Sequence, residues 1–285
     1  MNPAKAHAVR LGLRRGRAQV AQSFRSPQDQ VYTVFTTVGV LGYLLLRRND
    51  EVEGTDLLLP AVAMPSILGA LIAFGVVIGP AYALAMERED GTLLRHRAVP
   101  NGLIGYVVGQ LFLHASGLLP QVLVILLPSL LLFDDVMSNG VGGWAALVVF
   151  LLLGLLATLP IGMIIGAVVP STQKVATWGM LPVMALAGIS GIFYPLQALW
   201  GWVQVVAQVF PMYWLGLGMR SSFLPADAAS AEIGDSWRRF ESVAVLGVWA
   251  VVGIAVLPLV LRRMARRTSG SQVEAAREQT LQWVR

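Results

Sequence analysis

Cysteine is absent from the 285 residues, histidine occurs only three times, and 13% of positions carry Asp, Glu, Lys or Arg. The first absence excludes disulfides and cysteine-ligated metals or clusters. The second leaves His7, His96 and His114, too few and too scattered for a multi-histidine metal site. The third excludes an ordinary soluble domain, which carries about 25% charged residues. Lysine is nearly missing as well, with Lys5 and Lys174 alone. Neither lies in the Gly-x-x-x-x-Gly-Lys-Ser/Thr loop whose backbone amides cradle nucleotide phosphates, so no ATPase is expected in this chain. The first 30 residues hold arginines but no apolar core of the length a secretory leader needs.

What is abundant is apolar. Hydrophobic residues make up 56% of the chain, and the mean hydropathy is +0.67. They come in blocks, most longer than the ~20 residues that cross a bilayer core. The expected fold is all-α and polytopic, with about six transmembrane helices at 31–46, 57–86, 103–133, 141–169, 175–199 and 243–261. The first extends back toward Gln28. The second, third and fourth exceed one bilayer thickness and must tilt, kink or protrude. Pro65, Pro80, Pro120, Pro128 and Pro160 mark kink points in them.

Ahead of the first span, Val9, Leu13, Val20 and Phe24 share a helical face, with Arg10, Arg14 and Arg17 in an adjacent stripe. That pattern predicts an amphipathic helix in the membrane interface, arginines toward the headgroups. Ser26-Pro27 ends it. Of the 21 Lys and Arg residues, 16 fall on the side of the N-terminal tail, the 87–100 segment, Lys174 and the C-terminal tail. The positive-inside bias therefore places both termini in the cytoplasm, and it accounts for the net charge of +5 without nucleic acid. Between the last two spans, residues 201–224 are rich in aromatics and proline, including Trp202, Phe210, Pro211, Tyr213, Trp214 and Phe223. Short re-entrant helices dipping into the outer leaflet are expected there. The chain divides into a cytoplasmic N-terminal tail (1–27), a transmembrane domain (28–262) and a cytoplasmic C-terminal tail (263–285).

Three polar features stand out from this background. Gly188-Ile189-Ser190-Gly191 matches the Gly-x-Ser-Gly of intramembrane serine proteases, but no histidine lies beyond His114 to serve as base. Small residues that let helices approach are the better reading. Gln110, His114 and Gln121 lie on one face of the third span, either as interhelical hydrogen-bond partners or as a transport-path lining. Asp134-Asp135 read as a solvated turn. The densest signal is residues 86–100, where charges and a histidine are compressed between two long apolar helices. Gly91-Thr92 can end one helix and start another, and Pro100 stops that second, short helix. A short charged elbow at the membrane surface suits docking of a soluble partner.

The pattern Glu87-x-Glu89-x-Gly91-Thr92-Leu93, then Pro100 and a long span, resembles the ABC type-2 (ABC-2) exporter permeases. So do the basic N-terminal helix, the segment Ser190-Gly191-Ile192-Phe193-Tyr194-Pro195-Leu196 and the Pro211-x-Tyr213-Trp214 segment. The subgroup it is most similar to is the actinobacterial drug-exporter permeases of the daunorubicin-resistance kind. The resemblance implies that Glu87, Arg88, Glu89, Asp90, Gly91, Thr92, Leu93 and Arg95 form the coupling contact with an ABC ATPase subunit. Arg10, Arg14 and Arg17 of the N-terminal helix would make a second contact. It further implies two ATPase copies carrying ATP and Mg, a second permease subunit (identical or paralogous), and no cofactor bound by this chain. The implied activity is export of a hydrophobic or amphipathic small molecule, drug-like, or of a lipid across the cytoplasmic membrane. The chain would then be a transporter subunit and not an enzyme. An ion-gradient-driven secondary transporter is the alternative, opposed by the lack of Asp or Glu within a span.

Overall fold

The computed structural model of the chain describes residues 3–52, 57–93, 100–133, 136–192 and 196–267. The segments Phe193-Tyr194-Pro195 and Asp134-Asp135, Arg95, and the C-terminal tail from 268 onward lie outside the described residues. The helices are α1 (Pro3–Arg25), α2 (Pro27–Leu46), α3 (Leu59–Glu89), α4 (Gly102–Leu132), α5 (Gly140–Val168), α6 (Met180–Gly188), α7 (Gly201–Val209), α8 (Pro211–Phe223) and α9 (Arg239–Arg267). Five of them, α2 to α5 and α9, are long and apolar enough to cross a membrane. The fold is that of an all-α polytopic membrane protein.

Ser26-Pro27 separates α1 from α2 as expected: Pro27 opens α2, and the Ser26 hydroxyl accepts from the Asp29 amide. The expected span at 175–199 takes a different form. It begins with one α-turn (Thr172–Lys174), passes through a π-turn (Val175–Gly179), and ends with α6 at Gly188. At ~1.5 Å per residue, residues 172–188 reach about 25 Å, short of the ~30 Å hydrocarbon core. Two local features and one distant side chain end the helix early. Ser190 donates its hydroxyl to Ala187 O at 2.7 Å, and Gly191 takes a φ of +73°, open to glycine at little cost. Arg220 then holds the Gly191 carbonyl at 3.1 Å. A serine spent on a backbone carbonyl suits the structural reading of this motif.

α5 is the central column, with α3, α8 and α9 packed around it. Glycines allow close approach: a Cβ on Gly162 or Gly166 of α5 would collide with the α3 backbone at Val77 or Ala81. In lipid no hydrophobic force drives helices together, so such close van der Waals contact carries the association. α7 and α8 differ from each other. α7 buries Val203 and Ala207 while Trp202 and Val205 stay exposed, and Trp200 stacks on Trp202, as suits the interface. α8, the second of the short helices before the last span, is core: all of its residues are buried. Gly218 sits against Phe150 of α5 and Gly216 against Ile192, which is why α8 fits between the long helices.

A second group, α1 with α4 and part of α2, flanks this bundle. α1 lies on α4 through small residues. Ala8, Gly12 and Gly16 face Gly105 and Gly109, and a Cβ on any of the four glycines would press on the opposite backbone. The apolar residues expected to be its buried face are less covered: Val9, Leu13 and Val20 are half-buried, and Phe24 is exposed. Backbone proximity, and not side-chain bulk, selects the face.

Candidate functional site

The C-terminal turn of α3 ties three elements together through three consecutive side chains. Glu87 accepts a charge-assisted hydrogen bond from Arg15 of α1, Nη2 to Oε1 at 2.6 Å. The Arg15 guanidinium also lies 5.2 Å from the ring centroid of Tyr106 on α4, within cation–π range. Arg88 donates to Ala167 O at 3.1 Å and to Val169 O, carbonyls at the end of α5. Helix ends leave such carbonyls without intrahelical partners, so this contact fixes where α5 stops. Glu89 receives the Thr172 amide at 2.8 Å and its hydroxyl at 2.9 Å. It thereby holds the start of the 172–188 segment, while Ser171 caps the amide of Lys174.

Asp90 closes α3 and is exposed. Gly91 reverses the chain at a φ of +73°. Thr92 is half-buried, and Leu93 is 1% exposed, plugged into the main core. Leu93 therefore anchors this turn to the bundle. Of the predicted coupling residues, Arg95 lies outside the described residues. Arg10, Arg14 and Arg17 all point outward from α1 and are exposed. Arg15, absent from that stripe, turns inward to Glu87. Sequence reading missed Arg15, Tyr106 and Thr172. The pairs Gly12-x-x-x-Gly16 and Gly105-x-x-x-Gly109 were the available signal, because they set α1 on α4 and so aim Arg15 at the end of α3.

The junction is charge-paired but not saturated. Glu87 Oε2 is buried without a hydrogen-bond partner. A displacement of α1 would therefore strand a half-buried carboxylate, which ties α1 position to the end of α3.

Gln110, His114 and Gln121 lie along α4. Gln110 donates to Tyr106 Oη at 3.3 Å. His114 sits against Gly79 of α3, where a Cβ would come within 2.7 Å of the imidazole Cε1. Gln110 Oε1, His114 Nε2 and Gln121 Nε2 are all buried with no hydrogen-bond partner. Among the described residues none of the three side chains is hydrogen-bonded to another helix.

At the opposite end of the bundle, Arg220 of α8 and Glu232 form an ion pair at 2.5 Å with side chains 5% and 9% exposed. Arg220 also reaches Ser66 of α3 at 3.3 Å. Counting charges by loop puts Arg220 among solvent-side basic residues; its partner, twelve residues on, draws it inside. A cavity of about 400 Å³, bordered by Tyr43, Ser66 and Trp237, lies against the pair. Among the described residues no cluster of His, Asp or Glu is placed to hold a metal.

The family model for the ABC-2 type transporter matches residues 11–224. That span includes α1 from its third turn, the junction at the end of α3, and all of α8 but nothing of α9. Neither the curated proteins nor the solved structures yielded a match.

Proposed function

Because the chain belongs to the ABC-2 type transporter family, it is the membrane permease of an ABC transporter, and we propose that it exports a hydrophobic or amphipathic small molecule, or a lipid. ATP hydrolysis takes place on separate ATPase subunits, two per assembly, docked at the end of α3 from the cytoplasm. A second permease, identical or paralogous, completes the path. The surface available to it includes α2, where Val31, Phe35 and Val38 are 68%, 78% and 64% exposed. Both termini lie on the cytoplasmic face of the cell membrane.

The observation that carries this reading is the triple tie of Glu87, Arg88 and Glu89 to α1, α5 and the 172–188 segment. A push on that turn cannot move α3 alone. Closure of the ATPase pair against Asp90 and the outward arginines of α1 would shift α1, the end of α5 and the start of 172–188 together. The two helix groups would then rock between two arrangements. The unpaired polar atoms of Gln110, His114 and Gln121 supply a strip for the polar part of an amphipathic cargo, at a depth where such groups are costly unless used.

The test is transport and ATPase association of correctly inserted Glu89→Arg and Gly91→Pro variants. Glu89→Arg replaces the acceptor at the Thr172 amide with a cation, and Gly91→Pro removes the left-handed turn. Loss of coupled transport is expected from both. Full association and full transport in both variants would refute the reading.

A further inference from the structure

A cavity of about 590 Å³ separates the α1–α4 group from the main bundle, walled by α4, α5 and α9. That volume falls in the roughly 300–1,000 Å³ range of small-molecule sites. The walls are apolar, with Val108 and Leu111 on α4, Leu156 on α5 and Leu257 on α9. All the charge is at one end, where Arg262, Arg266, Asn101 and the first turn of α4 line the mouth. Neither arginine has an acidic partner among the described residues, and both are exposed.

The first turn of α4 adds to this charge. Asn101 takes a φ of +58° and offers no side-chain cap, so the leading amides of a long helix face the same mouth with their positive dipole end. Ile104 and Ile254, 36% and 54% exposed, border the cavity, which therefore reaches the outer surface of the helices. The charge asymmetry of the chain sets this end at the cytoplasmic leaflet.

We propose that this groove holds an acidic phospholipid of the cytoplasmic leaflet, an acyl chain between α4 and the α5–α9 pair and its phosphate between Arg262, Arg266 and the first turn of α4. Charge complementarity selects this occupant. A neutral lipid would fill the apolar walls and leave two arginines and a helix N-terminus unused. α4 otherwise touches α5 and α9 along little of its length, so the lipid is the wedge that sets the spacing of the two helix groups. This site is independent of the cargo and of the junction at the end of α3.

The experiment uses the full-length chain, exchanged into vesicles of phosphatidylcholine alone or of equal parts phosphatidylcholine and phosphatidylglycerol, then re-extracted gently for native mass spectrometry. One retained phosphatidylglycerol per chain is expected. The double variant Arg262→Ala/Arg266→Ala should lower the preference for phosphatidylglycerol by roughly twenty-five-fold, about fivefold for each basic side chain at an anionic headgroup. Arg263→Ala, exposed but outside the groove, should leave it unchanged. Val108→Trp, which fills the groove with the arginines intact, should abolish retention. Unchanged preference in the double variant overturns the proposal. So does an equal loss in Arg263→Ala, which would mean diffuse surface charge. Retention that appears only after removal of residues 268–285 would make the tail the occupant and overturn it too.

Discussion

Arg15→Met should destabilise the chain more than Glu87→Gln, and the double variant should recover most of the difference. In the pair, Arg15 and Glu87 side chains are 25% and 14% exposed. Exposed pairs contribute about 0–1 kcal/mol, whereas breaking a fully buried pair costs about 3–5 kcal/mol. This half-buried geometry lies between them, so Arg15→Met should cost about 2 kcal/mol. Most of that cost is the stranded carboxylate of Glu87, whose Oε2 already lacks a partner. Glu87→Gln keeps an acceptor for Arg15 and removes the charge that burial penalises. Arg15 retains its stacking on Tyr106, so the loss should be about 1 kcal/mol. In Arg15→Met/Glu87→Gln no charge is stranded, and the total should stay near that of Glu87→Gln alone.

The assay is reversible unfolding of the full chain in mixed micelles, read by tryptophan fluorescence and by protease access to α1. A coupling energy of about 1–2 kcal/mol is expected, against the ~0.5 kcal/mol within which independent sites add. Strict additivity would refute the reasoning, because it would mean that α1 and the end of α3 do not sense each other.

Gly162→Leu or Gly166→Leu should separate α3 from α5, costing about 1–3 kcal/mol by overpacking and giving polydisperse protein on size exclusion. Gly142→Ala, with open space around it, should behave as wild type. Arg220→Met should lower thermal stability by about 3–5 kcal/mol, since it leaves Glu232 buried and uncompensated; an unchanged melting temperature would contradict the buried pair. His114→Ala with Gln121→Leu should reduce transport while ATPase co-purification stays intact; loss of both together would assign these residues to folding. Since the chain has no cysteine, Phe35→Cys should form an intermolecular disulfide under oxidant if α2 meets a second permease, and monomer alone would contradict that pairing.

Long apolar blocks were legible because a helix in lipid must satisfy its own backbone, which makes length and hydropathy decisive. The block 141–169 is α5 at 140–168, and 103–133 is α4 at 102–132. All five prolines named as kink points do lie inside helices. The segment 175–199 reads as a full span because its apolar run continues past the stop at Ser190-Gly191. That stop depends on Arg220, distant in sequence, which binds the Gly191 carbonyl. Arg220 itself could not be placed from hydropathy, since its burial rests on Glu232. At the junction, composition marked residues 87–93 as special but not what they hold. The partners Arg15, Thr172 and the end of α5 are separated from α3 by about 70 to 80 positions. Only the small-residue spacing of α1 and α4 hinted at one of these contacts.

Whether this chain works as the membrane half of an ATP-driven exporter is decided by purifying the tagged chain from its own membranes, with mass spectrometry of whatever accompanies it. A Walker-motif ATPase is expected near one-to-one with the permease, lost or uncoupled when Glu89 is charge-reversed. A well-folded chain that brings down no ATPase, and whose transport persists without ATP but collapses with an uncoupler, would contradict it.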